Sequence, residues 1–154
     1  MAEIIIPYKP RNWALKLHNS YKRFFSLIMH RRGGKTTGLI NHIQRAATDD
    51  DWENNRMLSL APGLSESALK ELSRNRFYGI VYPTYSQAEL VAWVMFKHYA
   101  GYIPRIKTNE VNLEVEYPNK SRVRLFGADK PDRLRGTGLW GVAFDEYSQQ
   151  PSNI

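Results

Sequence analysis

The sequence predicts an α/β fold with a mainly parallel central sheet, on three observations. A short apolar run, "FFSLIM" (Phe24–Met29), leads through a turn with two glycines into an amphipathic stretch, "GKTTGLINHIQRAA". Two further apolar runs, "FYGIVY" and "LWGVAF", follow at intervals long enough to hold helices. The second of these ends in paired acids, Asp145-Glu146. Strands that alternate with helices build parallel sheets, because a parallel return needs a crossover segment.

The first elements follow from local pattern. "FFSLIM" reads as a buried strand. In the stretch after it, Leu39, Ile40, Ile43 and Ala47 fall on one stripe of a helix. Strand, tight glycine turn and helix, in that order, form the context a phosphate loop requires. "TDDDWENN" (Thr48–Asn55) is acidic and polar and reads as a loop. "LSESALKELSRN" reads as a short helix with Ser65 as its N-cap. "FYGIVY" is the second strand, stopped by Pro83, and "YSQAELVAWVMFKHYA" the helix after it. Leu90, Val91, Val94 and Met95 are expected on the apolar side of that helix.

A hairpin comes next. Val111, Leu113, Val115 and Tyr117 alternate with polar residues, and Val123 and Leu125 alternate with Arg122 and Arg124. A three-residue loop, Pro118 to Lys120, places Glu116 opposite Arg122 and Glu114 opposite Arg124. A two-residue loop would set charges against apolar side chains, so the charge pattern favours the odd loop. "GADKPDRLRGTG" is a polar loop, and "LWGVAF" the last strand.

Composition narrows the class of partner. The chain has 154 residues, enough for one domain with a core, and a formal net charge of +7. That charge favours polyanions such as nucleotides or nucleic acid. The absence of cysteine excludes disulfides, thiol chemistry and cysteine zinc sites. The start, "MAEIIIPYKPRNW", has too short an apolar run for a signal peptide. No apolar run approaches the roughly 18 residues of a membrane span. A cytosolic protein without membrane contact is expected.

The chemistry gathers at two places. Gly34-Lys35-Thr36 ends as a phosphate-binding loop ends, although the position five residues before Gly34 holds Met29 rather than the usual glycine. Gly33 and Gly34 allow the backbone to approach a phosphate closely. Backbone N–H groups at a helix N-terminus then face the anion. Lys35 stands where a lysine reaches the β/γ oxygens, and Thr36 where a hydroxyl holds Mg²⁺. Arg31, Arg32 and Thr37 complete the candidate phosphate contacts.

The second place is the acidic strand end. Two acids at the carboxyl end of a buried strand are costly unless they bind something. Asp145 is suited to the Mg²⁺ shell, and Glu146 to orienting and deprotonating water. Each motif alone has a plainer reading, as a basic turn or an acidic helix cap. Together they predict a P-loop NTPase, a three-layer sandwich with a decorating β-hairpin, using ATP and Mg²⁺. Arg133 and Arg135 lie in a glycine-flanked loop, and Arg133 is read as a solvated surface residue. Asp49, Asp50 and Asp51 are read as a solvated loop. His18, His30, His42 and His98 show no ligand spacing and take no role.

With these motifs in place, the sequence resembles the large subunit of tailed-bacteriophage terminases over nearly its whole length. "HRRGGKTT" is similar to that family's variant phosphate loop, with Arg31 at its loop arginine. "YPTYSQAELVAW" is similar to its strand-to-helix segment. "YPNKSRVRLFGADKPDRLRG" is similar to its hairpin and loop, and "GVAFDEY" to its acidic strand. The resemblance implies an ATPase motor that drives double-stranded viral DNA into a procapsid. It implies Lys35 and Thr36 on phosphate and Mg²⁺, Asp145 on Mg²⁺ and Glu146 as catalytic carboxylate. It also implies Arg31 as γ-phosphate sensor and Arg135 as an arginine offered to a neighbouring subunit.

A homo-oligomeric ring, a small terminase subunit, a portal and the host bacterial cytoplasm come with the same resemblance. Ala14 stands where relatives often carry an adenine-reading glutamine. Residues 1–154 are expected to form the N-terminal part of the ATPase domain, incomplete at its C-terminus and without the nuclease domain. Two alternatives remain, a non-catalytic basic nucleic-acid-binding module and a helicase-type P-loop ATPase.

Overall fold

The computed structural model describes residues 5–73 and 75–150. Four helices precede the first strand: α1 (Asn12–His18), α2 (Lys35–Thr48), α3 (Asp50–Leu60) and α4 (Glu66–Leu72). Strand β1 (Phe77–Tyr82) follows. Next comes one long helix in three parts: α5 (Tyr85–Gln87), a π turn (Ala88–Ala92) and α6 (Trp93–Ala100). Strands β2 (Lys107–Asn109), β3 (Glu114–Glu116), β4 (Arg122–Gly127) and β5 (Gly141–Phe144) complete one five-stranded sheet of order β2-β3-β4-β1-β5.

The sheet is mixed. β1 lies between β4 and β5 and runs parallel to both, while β2, β3 and β4 form an antiparallel meander. β1 is buried along all six of its residues. That suits "FYGIVY": a central parallel strand covered on both faces is apolar throughout rather than alternating. On one face Ile40, Ile43, Trp93 and Phe96 pack with Tyr78, Ile80, Val123 and Leu125. On the other, Phe77, Val81, Phe126 and Ala128 pack with Leu134 and Leu139 from the loop before β5. The hairpin register is the one the charges require: Glu116 faces Arg122, Glu114 faces Arg124, and Val115 faces Val123.

Several expectations are corrected. Phe24–Met29 belongs to no strand and pairs with none in the sheet, and Phe24 and Ile28 are 80% and 95% exposed. An apolar run becomes a strand only where a neighbour takes up its N–H and C=O groups. The P-loop sandwich is therefore not complete: the strand expected to feed the glycine turn is missing from the sheet. Thr48–Asn55 is helical rather than a loop. Asp49 accepts the Trp52 N–H at 2.9 Å as the N-cap of α3, and Asp50, Asp51 and Glu53 stand in its first turn, where acids favour the helix dipole. Ser65 caps α4 as expected, accepting from the Ala68 N–H.

The long helix presents an unexpected face. Ala88, Ala92, Trp93, Phe96 and Ala100 are buried, while Leu90, Val91 and Val94 are exposed and Met95 is half-buried. The π turn adds residues to one turn and shifts the phase of everything around it, so regular spacing selects the wrong side. Val111 is exposed in the turn between β2 and β3, outside the strand expected there.

Candidate nucleotide site

The glycine turn sits at the N-terminus of α2. Gly34 is its N-cap, in the left-handed region at φ 79°, and the Gly38 N–H closes the first helical turn on the Gly34 carbonyl at 3.0 Å. Arg32 is also left-handed, at φ 60°. Two left-handed residues flanking Gly33 wrap the chain tightly just before a helix whose first N–H groups have no partner within it, which is the geometry of an anion cradle. The Lys35 ammonium donates to the Met29 and His30 carbonyls at 3.1 and 3.5 Å, spanning the turn.

Asp145 follows β5 directly. Its N–H donates to the Val81 carbonyl at 2.9 Å, which continues the β1–β5 pairing by one residue. Its carboxylate is 5% exposed and meets α2: the Thr36 hydroxyl donates to Asp145 Oδ2 at 2.6 Å. The Glu146 N–H donates to Asp145 Oδ1 at 3.1 Å. Glu146 takes the left-handed conformation, φ 49°, which ends the strand and leaves its side chain exposed. Gln150 braces the turn from below, donating to the carbonyls of Val81 and Asp145 at 3.2 and 3.0 Å. Burial, with the Asp145 charge nearby, pushes the Tyr82 phenol above its ordinary range.

Thr36 and Asp145 thus form a hydroxyl–carboxylate pair of hard oxygen donors beside the candidate phosphate turn. That donor set fits Mg²⁺, which takes one or two protein oxygens and completes its shell from phosphate and water. Among the described residues no three His, Asp or Glu side chains cluster as a metal site, so this pair is the candidate.

Other expected site residues lie apart. Arg31 is exposed at the lip of the turn. The Arg32 side chain is exposed too, and its carbonyl accepts from Arg11 at 3.4 Å. The Thr37 hydroxyl points to the Met95 sulfur at 3.6 Å. Arg135 pairs with Asp132 at 3.1 Å in the exposed loop before β5. Sequence reasoning did not find the residues around the turn: Pro7, Tyr8, Lys9, Arg11, Trp13 and Tyr99 line, with Gly34 and Thr37, a cavity of about 180 Å³. Ala14 is fully buried and outside that lining.

An α/β domain with a phosphate-type turn facing an acidic strand end is the class of protein that fold and site define. Among solved structures, the chain is similar to the ATPase domain of the large terminase of Thermus phage P74-26. The TM-score is 0.65 and the identity 20%, over 95% of this chain and 57% of that one. An arginine-to-alanine mutant of the same domain matches equally. The two therefore share a fold over nearly all of this chain, which spans 57% of the length of the chain it matches. The resemblance to terminase large subunits carried by the motifs is met by this fold. No family model matches the chain, and no curated protein is matched by its sequence. Among the described residues no helix is long and apolar enough to cross a membrane.

Proposed function

We propose that the chain is the ATP-binding and hydrolysing part of a motor that drives double-stranded DNA into a viral procapsid. The observation that carries this reading is the Thr36–Asp145 contact at 2.6 Å, between residues 109 apart in sequence. It brings the helix end of the glycine turn onto the acidic strand end, as Mg²⁺-dependent phosphoryl transfer requires.

In this reading the N–H groups of Gly33 and Gly34 and the Lys35 ammonium bind the phosphates. Arg31, Arg32 and Thr37 complete that set. Thr36 and Asp145 would hold Mg²⁺, which would offset the negative charge of the phosphates. The Glu146 carboxylate, exposed beside Asp145, orients a water and takes its proton. The cavity walled by Tyr8, Trp13 and Tyr99 abuts Gly34 and takes the base. Arg135, exposed and paired with Asp132, serves a neighbouring subunit of a homo-oligomeric ring. Duplex DNA, a small terminase subunit and a portal are the partners of the whole protein, in the host bacterial cytoplasm.

Titration of the chain with Mg²⁺-ATP tests this. Lys35→Ala is expected to abolish binding, and Glu146→Gln to bind normally and lose turnover. Equal affinity in wild type and Lys35→Ala would overturn the nucleotide reading and leave a basic polyanion-binding module.

A further inference from the structure

A phosphate-binding turn must hold an unusual backbone before its ligand arrives. Its N–H groups face the anion, so the carbonyls of the same peptide units face away and need donors of their own. Here both outward carbonyls are taken by residues from the start of α1. Arg11, the residue preceding that helix, donates from Nη1 to the Arg32 carbonyl at 3.4 Å. Trp13 donates from its indole Nε1 to the Gly33 carbonyl at 3.2 Å. The peptide is planar and trans, so fixing the Gly33 carbonyl turns the Gly34 N–H the opposite way, and fixing the Arg32 carbonyl does the same for the Gly33 N–H.

The indole has a second hold. A Cβ at Gly38 would overlap Trp13 Cη2, so position 38 accepts only glycine while Trp13 is seated there. The ring is wedged between the turn it bonds and the first turn of α2. Arg32, a non-glycine residue in the left-handed region, is the strained conformation this bracing maintains.

We propose that Trp13 is a positioning residue for the phosphate turn, with Arg11 as its auxiliary, shaping the Gly33–Gly34 backbone for an anion that neither side chain needs to touch. The inference rests on the nucleotide reading of the turn, and the experiment separates the two.

Affinity for Mg²⁺-ATP and for Mg²⁺-tripolyphosphate, which has no base to meet the Trp13 wall of the cavity, and melting temperature are measured on the 154-residue chain and four variants: Trp13→Phe, Gly38→Ala, the double variant and Lys35→Ala. A loss for ATP alone would overturn the positioning role. Phenylalanine keeps an aromatic ring and removes the N–H donor. Loss of that single hydrogen bond is expected to weaken binding about five- to tenfold, with little change in melting temperature. Gly38→Ala displaces the indole and is expected to weaken binding by a similar factor. In the Trp13→Phe background the shorter ring leaves room for the new methyl, so Gly38→Ala is expected to add no further loss.

Wild-type affinity in Trp13→Phe, with binding lost in Lys35→Ala, would overturn the positioning role and leave the nucleotide reading standing. Losses that track melting temperature and add fully in the double variant would overturn it as well. Unchanged binding in Lys35→Ala would remove the nucleotide reading and the inference with it.

Discussion

The Nδ1 atoms of His18 and His42 lie 3.2 Å apart, with their rings stacked. The Tyr8 hydroxyl meets His18 Nε2 at 3.0 Å on the far side. Burial, then the charges of His18, Arg45 and Arg56, lowers His42 to about 3. Burial and Arg45 lower His18 as well.

This pair predicts acid sensitivity. A base whose folded pKa is depressed binds more protons unfolded. Its contribution is complete above the ordinary histidine value, about 6.5, and falls as pH drops below it. For His42 the loss continues to about pH 3. Between pH 7 and pH 5 it amounts to about 2 kcal/mol. Urea midpoints at the two pH values measure it. His42→Leu is expected to flatten the slope, and an unchanged slope in that variant would sink the assignment.

Removing the Thr36 hydroxyl is expected to act twice. Thr36→Val leaves the buried Asp145 carboxylate without its 2.6 Å donor, at a cost of about 1–3 kcal/mol. It also removes a proposed Mg²⁺ ligand. Thermal melts should show the destabilisation, and nucleotide titrations with and without Mg²⁺ should converge.

Glu53 is fully buried and ties α3 to the segment just before β5. It takes both guanidinium contacts of Arg56, at 2.5 and 2.8 Å, and the Trp140 indole N–H at 2.5 Å. Glu53→Ala leaves Arg56 unpaired where it is mostly buried and frees the residue just before β5. A loss of about 3–5 kcal/mol is expected, read from denaturant unfolding.

The π turn predicts a contrast within one helix. Leu90→Ser and Val94→Ser should change stability by less than about 0.5 kcal/mol, since both side chains face outward. Phe96→Ala should cost about 3–5 kcal/mol. A large loss at Leu90 would contradict the helix phase.

What was legible in the sequence was what local chemistry enforces. The β3–β4 register followed from opposed charges, because a one-residue slip would bury Glu114 or Arg124. Ser65 was visible as a cap, and Gly34, Thr36 and Asp145 as ends of elements. The losses share another cause. Asp49, Asp50 and Asp51 looked like solvent-loving loop residues, although acids also start helices, and Trp52 supplies the anchor for α3. The face of the long helix was misread because one π turn outweighs the average spacing. Phe24–Met29 has strand composition, but strand is a property of pairs and, among the described residues, no strand pairs with it. Nothing local tied Trp13 and Arg11 to the glycine turn, since their partners lie 20 and 21 residues along the chain.

The Thr36–Asp145 contact also says something about time. A bond between residues 109 apart closes only after nearly everything between them has been arranged. α2 must be seated on the sheet, β4 must flank β1, and β5 must then add to the other edge in register before the hydroxyl meets the carboxylate. A partly folded chain can carry a formed glycine turn and a formed hairpin and still lack a site. If the site takes nucleotide as proposed, ligand capture is gated by the completion of folding, and the newly made chain passes through its immature states blind to it.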